Sequence, residues 1–116
     1  PPTVVTDVRE DMAIAREEIF GPVVVVLPVD GLEDAIRLAN DTPYGLGASV
    51  WTSTERGEAM ASRIEAGQVS VNGIVKTDPR LPSGGIKRSG YGRELGPHGI
   101  REFVNAQQVW VGPAVG

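Results

Sequence analysis

The sequence contains no cysteine, which excludes disulfide bonds, thiolate metal sites and thiol chemistry within these 116 residues. A single histidine, His98, leaves little material for a histidine-based metal site or a Ser-His-Asp triad. No apolar run approaches the ~20 residues that a helix needs to cross a bilayer. The stretch Pro1-Pro2-Thr3-Val4-Val5 has none of the basic-then-apolar layout of a signal peptide, so the expectation is a soluble, cytoplasmic protein with no membrane partner. Positive charge is scarce too. The formal net charge is −4, and the short cluster Lys87-Arg88 is too small to make a basic face, which argues against a nucleic-acid partner. Whatever chemistry the chain joins, most of the reacting groups must come from elsewhere.

What is present is ordinary globular material, 41% apolar and 22% charged. Val23-Val24-Val25-Val26-Leu27 is a β-branched run, apolar on both faces, and reads as a strand buried in a parallel sheet. Asp30 then stands as a helix N-cap with Glu33 three residues on. Leu32, Ala35, Ile36 and Ala39 make one apolar helix face, and Asn40-Asp41-Thr42-Pro43 stops the helix because the residue before a proline is pushed out of the α region. The unit recurs. Gly47 to Thr52 reads as a second strand, and Ser53 or Thr54 caps a second helix ending before Gly67. Met60 and Ile64 anchor its apolar face with Gly57 or Ala61 beside them, and Val69 to Asn72 is a third strand. These spacings predict an α/β fold with a parallel βαβαβ unit. Thr3 to Thr6 is a candidate further strand, Pro97 a good first residue for a short helix through Phe103, and Val109-Trp110-Val111 a candidate last strand.

Between Gly73 and Gly92 the periodicity fails, which predicts a long ordered loop or a series of turns. Gly90-Tyr91-Gly92-Arg93-Glu94-Leu95-Gly96 starts like a dinucleotide fingerprint, but its third glycine is one place late and no buried strand precedes it. Gly85 to Gly90 has the wrong order for a phosphate-binding loop. Both read as turns that need positive φ. More informative is Glu17-Glu18-Ile19-Phe20-Gly21-Pro22, which leads straight into the valine run and would set a glutamate at a strand mouth. On one reading its carboxylates are solvated turn charges and Phe20 is core. On the other, one carboxylate accepts hydrogen bonds from vicinal hydroxyls while Phe20 supplies a flat apolar wall, a pair suited to a ribose that carries an aromatic base.

Glu17 to Val23 resembles the E-E-x-F-G-P-V signature of the aldehyde dehydrogenase superfamily. Asn40 to Ala48 is similar to its N-x-x-x-Y-G-L-x-A segment, Gly67 to Asn72 to its G-x-V-x-V-N strand, and Pro82 to Glu94 to P-F-G-G-x-K-x-S-G-x-G-R-E. The four segments come in the family's order and cover nearly the whole chain.

The resemblance implies the C-terminal part of an enzyme that uses NAD or NADP. In that family a cysteine thiolate attacks a small-molecule aldehyde, hydride passes to the nicotinamide, and a glutamate-activated water releases the acid. Nucleophile, general base and phosphate-binding region all lie upstream of the E-E-x-F-G-P segment, so this chain alone is expected to be inactive. Carried over residue by residue, Glu18 is expected to hold the nicotinamide ribose hydroxyls and Phe20 to pack near the ring. Ser83 departs from the family's pattern, standing where many members have phenylalanine near the mouth of the aldehyde pocket. A hydroxyl there favours a polar substrate, and Lys76 or Arg80 in the loop just before it could meet a carboxylate. The wording of Asp78 to Leu95 most resembles succinate-semialdehyde dehydrogenases. His98 is expected to cap or pack beside the last helix, Arg93 and Glu94 to tie down the loop, and Tyr91 and Trp110 to pack. The implied division is residues 1–104 in the catalytic domain and 105–116 as an oligomerisation strand and tail, which makes a homo-oligomer. The alternative is a non-catalytic remnant that acts only as a folding or oligomerisation module.

Overall fold

Two short parallel strand pairs, rather than one continuous sheet, carry the fold of the computed structural model, which describes residues 1–114 and 116. In chain order the elements are β1 (Thr3–Val5), α1 (Ala13–Arg16), β2 (Val23–Val25), α2 (Leu32–Asn40), β3 (Gly47–Val50), α3 (Thr54–Ala61) and β4 (Gln68–Val71). A 3₁₀ turn (Lys87–Ser89) and α4 (Gly96–Arg101) follow. β1 pairs with β2 in the register Thr3↔Val23 to Val5↔Val25, and β3 pairs with β4 from Gly47↔Gln68 to Val50↔Val71. The class is α/β. Of the two crossovers expected between the three central strands, the structure closes one, β3–α3–β4. β2 takes β1 as its neighbour and leaves β3 to β4.

The valine run is not buried on both faces. Val23, Val25 and Leu27 are half-buried while Val24 and Val26 are exposed, the alternation of a strand covered on one side only. Continuous apolar sequence reports what a strand can bury, and here no element lies over the second face. α2 keeps its expected stop at Asn40, with the Asp41 amide bonded to the Arg37 and Leu38 carbonyls. Its start differs from expectation. Gly31 takes the N-cap position, and the Asp30 amide donates to Asp34 Oδ2 at 3.2 Å. Glu33 turns instead to a two-pronged pair with Arg63 beyond α3. Of the expected apolar face of α2, Ile36 is buried and Ala35 half-buried, whereas Leu32 and Ala39 are exposed.

α3 sits against β4 through Gly57, where an added Cβ would meet the Val71 side chain. Ser53 holds its N-cap position without a side-chain cap bond, and the helix ends at Ala61, so half-buried Ile64 lies beyond it. The loop after β4 is ordered by an antiparallel bridge between Ser83 and Glu94, both backbone bonds 2.8 Å long. Arg93 adds bonds to the Gly85 and Gly92 carbonyls, so Arg93 and Glu94 do tie the loop down. Gly90 and Gly92 take φ of 132° and 74°, which accounts for their place in turns rather than in a nucleotide loop.

Beyond α4 the chain runs out as an extended tail. Val109-Trp110-Val111 finds no strand partner among the described residues, and Trp110 (79% exposed) and Tyr91 (99% exposed) pack under nothing, contrary to expectation. His98 is likewise exposed, on α4. The physical reason is common to all of them: among the described residues no segment passes over those surfaces. The radius of gyration of 19.9 Å, against about 13 Å for a compact domain of this length, measures the same openness. The buried apolar side chains are few, namely Val8, Ile36 and Val50.

Candidate functional site

Glu18 and Phe20 lie on the connection between α1 and β2. α1 is fastened by Arg16, whose Nε donates to the Glu10 carbonyl at 2.8 Å and whose Nη2 pairs with Asp41 at 3.3 Å. The backbone leaves the helix at Glu17 with ψ of 140°, and residues 18–20 run without regular structure to β2. Both glutamates are exposed, and among the described residues neither is in a salt bridge. The Phe20 ring is 99% exposed, so it is not core. Glu18 lines an open cleft of about 590 Å³ together with Tyr44 to Ala48, Arg88 and Ser89. Arg88 lies over the Tyr44 ring, 5.7 Å from its centroid. Because Glu18 precedes β2, residues 44–46 precede β3 and residues 64–66 precede β4, the cleft lies toward the amino ends of these strands, the opposite of the usual carboxyl-end site in α/β sheets.

The loop residues divide differently from their sequence grouping. Ser83 is buried and lines, with Lys76 and Asp78, a cavity of about 260 Å³ whose floor includes Gln68 and Ser70 of β4. Arg80 does not line it. Its guanidinium grips Asp78 through Nε at 2.9 Å and Nη2 at 2.7 Å, and its own amide donates to Asp78 Oδ1 at 2.9 Å. Those hydrogen bonds hold the Asp78 carboxyl below the usual aspartate range. Lys76, by contrast, lines the cavity and is in no salt bridge among the described residues. Sequence reasoning treated Lys76 and Arg80 alike. The signal that separates them was an aspartate two residues before the arginine.

Two further clusters escaped the sequence reading. Glu10, Arg37 and Asp34 form a surface triad, with Arg37 Nη2 2.6 Å from each carboxylate. The Arg37 hydrogen bonds push both carboxyls below their ordinary values. Lys87, Asn40 and Glu65 form the second, at the seam between α2 and the glycine-rich loop. No group of three or more His, Cys, Asp or Glu side chains stands close enough among the described residues to hold a metal ion. Nor is any described helix long and apolar enough to cross a membrane.

Fold and site together define an α/β protein built on parallel strand pairs, with a carboxylate in no salt bridge among the described residues on the wall of an open cleft and a bare phenyl ring two residues further along the chain. The sequence profile of the aldehyde dehydrogenase family matches residues 1–109, and the chain belongs to that family. It is 57% identical over 112 residues to a probable NADP(+) succinate-semialdehyde dehydrogenase of Synechocystis, covering 96% of this chain and 25% of that protein. It is 53% identical to the NADP(+) succinate-semialdehyde dehydrogenase of Mycobacterium leprae, with 96% and 24% covered. Among solved structures it resembles a Bacillus cereus aldehyde dehydrogenase in its NAD+ complex, with a TM-score of 0.88, 48% identity, and 95% and 23% covered. It also resembles a Mycobacterium tuberculosis aldehyde dehydrogenase complexed with NAD+, with a TM-score of 0.83, 48% identity, and 88% and 21% covered. The chain thus spans about a quarter of the length of the curated relatives it matches.

Proposed function

We propose that this chain is the C-terminal part of an NAD(P)-dependent aldehyde dehydrogenase that oxidises succinate semialdehyde to succinate, the remaining catalytic groups standing on sequence outside these 116 residues. The observation that carries the cofactor half is an exposed carboxylate in no salt bridge among the described residues, Glu18, followed two residues on by a wholly exposed phenyl ring, Phe20. Among the described residues neither side chain is buried or in a salt bridge, and a carboxylate and a flat apolar ring are the two groups that suit a ribose bearing an aromatic ring. The carboxylate accepts from the paired hydroxyls, and the ring excludes water from one side. The dinucleotide, when bound, supplies the hydride acceptor. What Glu18 and Phe20 contribute is orientation. The relatives include proteins named for NADP(+) and structures holding NAD+, and both cofactors remain within the proposal.

On the substrate side, Ser83 and Lys76 share a cavity large enough for a short dicarboxylate half-aldehyde. Lys76 would take the carboxylate as a point charge, Ser83 would offer a hydroxyl where a phenylalanine would repel it, and Arg80 would act through Asp78 by holding the loop. The exposed tail around Val109 to Val111 is the strand that would join a second subunit, giving a homo-oligomer.

The test is made on the full-length enzyme. Glu18→Gln is expected to weaken dinucleotide binding about tenfold, the loss of one charge-assisted contact. Succinate semialdehyde is expected to exceed an uncharged aldehyde of the same length in kcat/KM by about tenfold or more, with Lys76→Met erasing most of the difference. Wild-type cofactor affinity in the first variant removes Glu18 from the site, and equal kcat/KM for the two aldehydes removes the substrate. The 116-residue chain by itself, lacking any cysteine, is expected to show no turnover.

A further inference from the structure

We propose that Lys87 is a positioning residue that locks the substrate cavity and the Glu18 cleft into one register, by fastening the loop between them to the C-terminal end of α2. The Lys87 ammonium has three N–H donors and three acceptors converge on it. Nζ lies 2.8 Å from the Asn40 carbonyl, 3.2 Å from the Thr42 carbonyl and 2.7 Å from Glu65 Oε2. Two of these are carbonyls at and just past the end of α2, where acceptors lack partners inside the helix and a cation is favoured by the helix dipole. Glu65 comes from the turn between α3 and β4, so one side chain joins three segments that are far apart in sequence.

The backbone around Lys87 is stitched to the same seam. The Ile86 amide donates to the Gly45 carbonyl and the Arg88 amide to the Pro43 carbonyl, each at 2.9 Å, while the Gly45 amide donates to Ser89 Oγ at 3.0 Å. Lys87 itself sits at φ 54°, a left-handed conformation that is unfavourable for a lysine and persists only where surrounding contacts determine it. A loose surface ion pair would be worth little and would not hold such a backbone. This side chain is only 24% exposed and bonded in three directions.

The loop has a candidate site on each side. Four residues before Lys87, Ser83 lines the substrate cavity. Two residues after it, Ser89 lines the Glu18 cleft together with Gly45, its hydrogen-bond partner. A slip of this loop would therefore displace a wall of both. The inference rests on the assignment of those two sites to cofactor and aldehyde.

The test uses full-length enzyme carrying Lys87→Asn, since asparagine tolerates the left-handed backbone and its short neutral side chain takes the ammonium away from the three acceptors. Glu65→Gln serves as a milder break should the first variant fail to fold. Without ligands, amide exchange at Gly45, Ile86 and Arg88 is expected to quicken about tenfold while the β3–β4 amides keep their rates. The dinucleotide dissociation constant, from fluorescence titration, and the aldehyde KM are expected to rise together, each about fivefold to tenfold, with kcat within about threefold. Lys87→Arg, whose planar fork cannot meet three converging acceptors, is expected to restore only part of the loss. Unchanged exchange, movement of only one of the two binding constants, or full rescue by arginine overturns the proposal. If Glu18→Gln binds cofactor normally, the site assignment fails separately, and the ligand-free exchange still judges whether Lys87 holds the loop.

Discussion

The stretch from β3 to the Ser83–Glu94 bridge and the stretch from β1 to β2 are built on the same parallel pairing and differ in how much of it is covered. Both hold a parallel strand pair joined by a crossover. Around β3 and β4 the chain supplies its own lid. α3 packs through Gly57, the loop crosses Gly67, and Gly85 and Ser83 are buried. Around β1 and β2 one face stays open, Val4 and Val24 are exposed, and the crossover holds a single turn of helix. The tail after α4 is barer still. Apolar pattern alone therefore does not distinguish strands that this chain can bury from strands that need a further layer. The number of local segments able to fold back over them does.

The sharpest way to break that comparison is amide exchange on the 116-residue chain alone. The amides of Gln68, Asn72, Ser83 and Glu94 each reach a carbonyl in the well-covered part. They are expected to exchange at least about a hundredfold more slowly than those of residues 105–111, which have no backbone partner among the described residues, with β1 and β2 between the two. Uniform fast exchange would mean that the covered part is not self-sufficient, and uniform protection would mean that the tail has found a partner.

A smaller but more local blow falls at Gly67. A Cβ there would run into the backbone carbonyl of Gly84, which has no flexible end to swing aside. Gly67→Ala is expected to destabilise the full-length protein by about 3 kcal/mol, the upper range for overpacking, with the melting temperature as readout. Near-wild-type stability would show that the loop does not rest on β4 as closely as the structure has it.

These two tests bear on what was legible in the sequence. The helix stop at Asn40, the β3–α3–β4 crossover and the packing role of Gly57 all follow from local rules of capping, periodicity and turn chemistry. What local rules could not supply was partnership. They gave β2 a neighbour in β3 rather than β1, set Phe20 among possible core residues, and treated Arg80 as being as free as Lys76. The Lys87 contacts span 22 and 47 residues of sequence, a distance that no periodicity reports. The candidate cofactor residues were named by their resemblance to a signature, because an exposed carboxylate beside an exposed ring has no fold-level reason that a pattern could detect.

The smallest expected effect tests how the sparsely covered region is held at all. Beside the Arg16–Asp41 pair, its tie to α2 runs through Glu10, which approaches Arg37 at 2.6 Å and 3.0 Å, with Asp34 sharing the same guanidinium. The Arg37 hydrogen bonds lower the folded-state pKa of both carboxyls relative to their ordinary values, so protons bind the unfolded chain more readily than the folded one. The sign follows. The contribution is fully present above the ordinary carboxylate range near pH ~4.3 and is lost as pH falls through the depressed folded values below it. Glu10→Gln should accordingly cost a little at pH 7 and nothing measurable near pH ~2, where wild type has lost the same charge. All three side chains are solvated, so added salt should shrink the difference at neutral pH. Protease sensitivity of residues 6–12, followed for both proteins across that range, is the readout. A wild-type advantage that grows as the pH falls would reverse the sign and remove the triad from any role in holding β1 and α1 to α2.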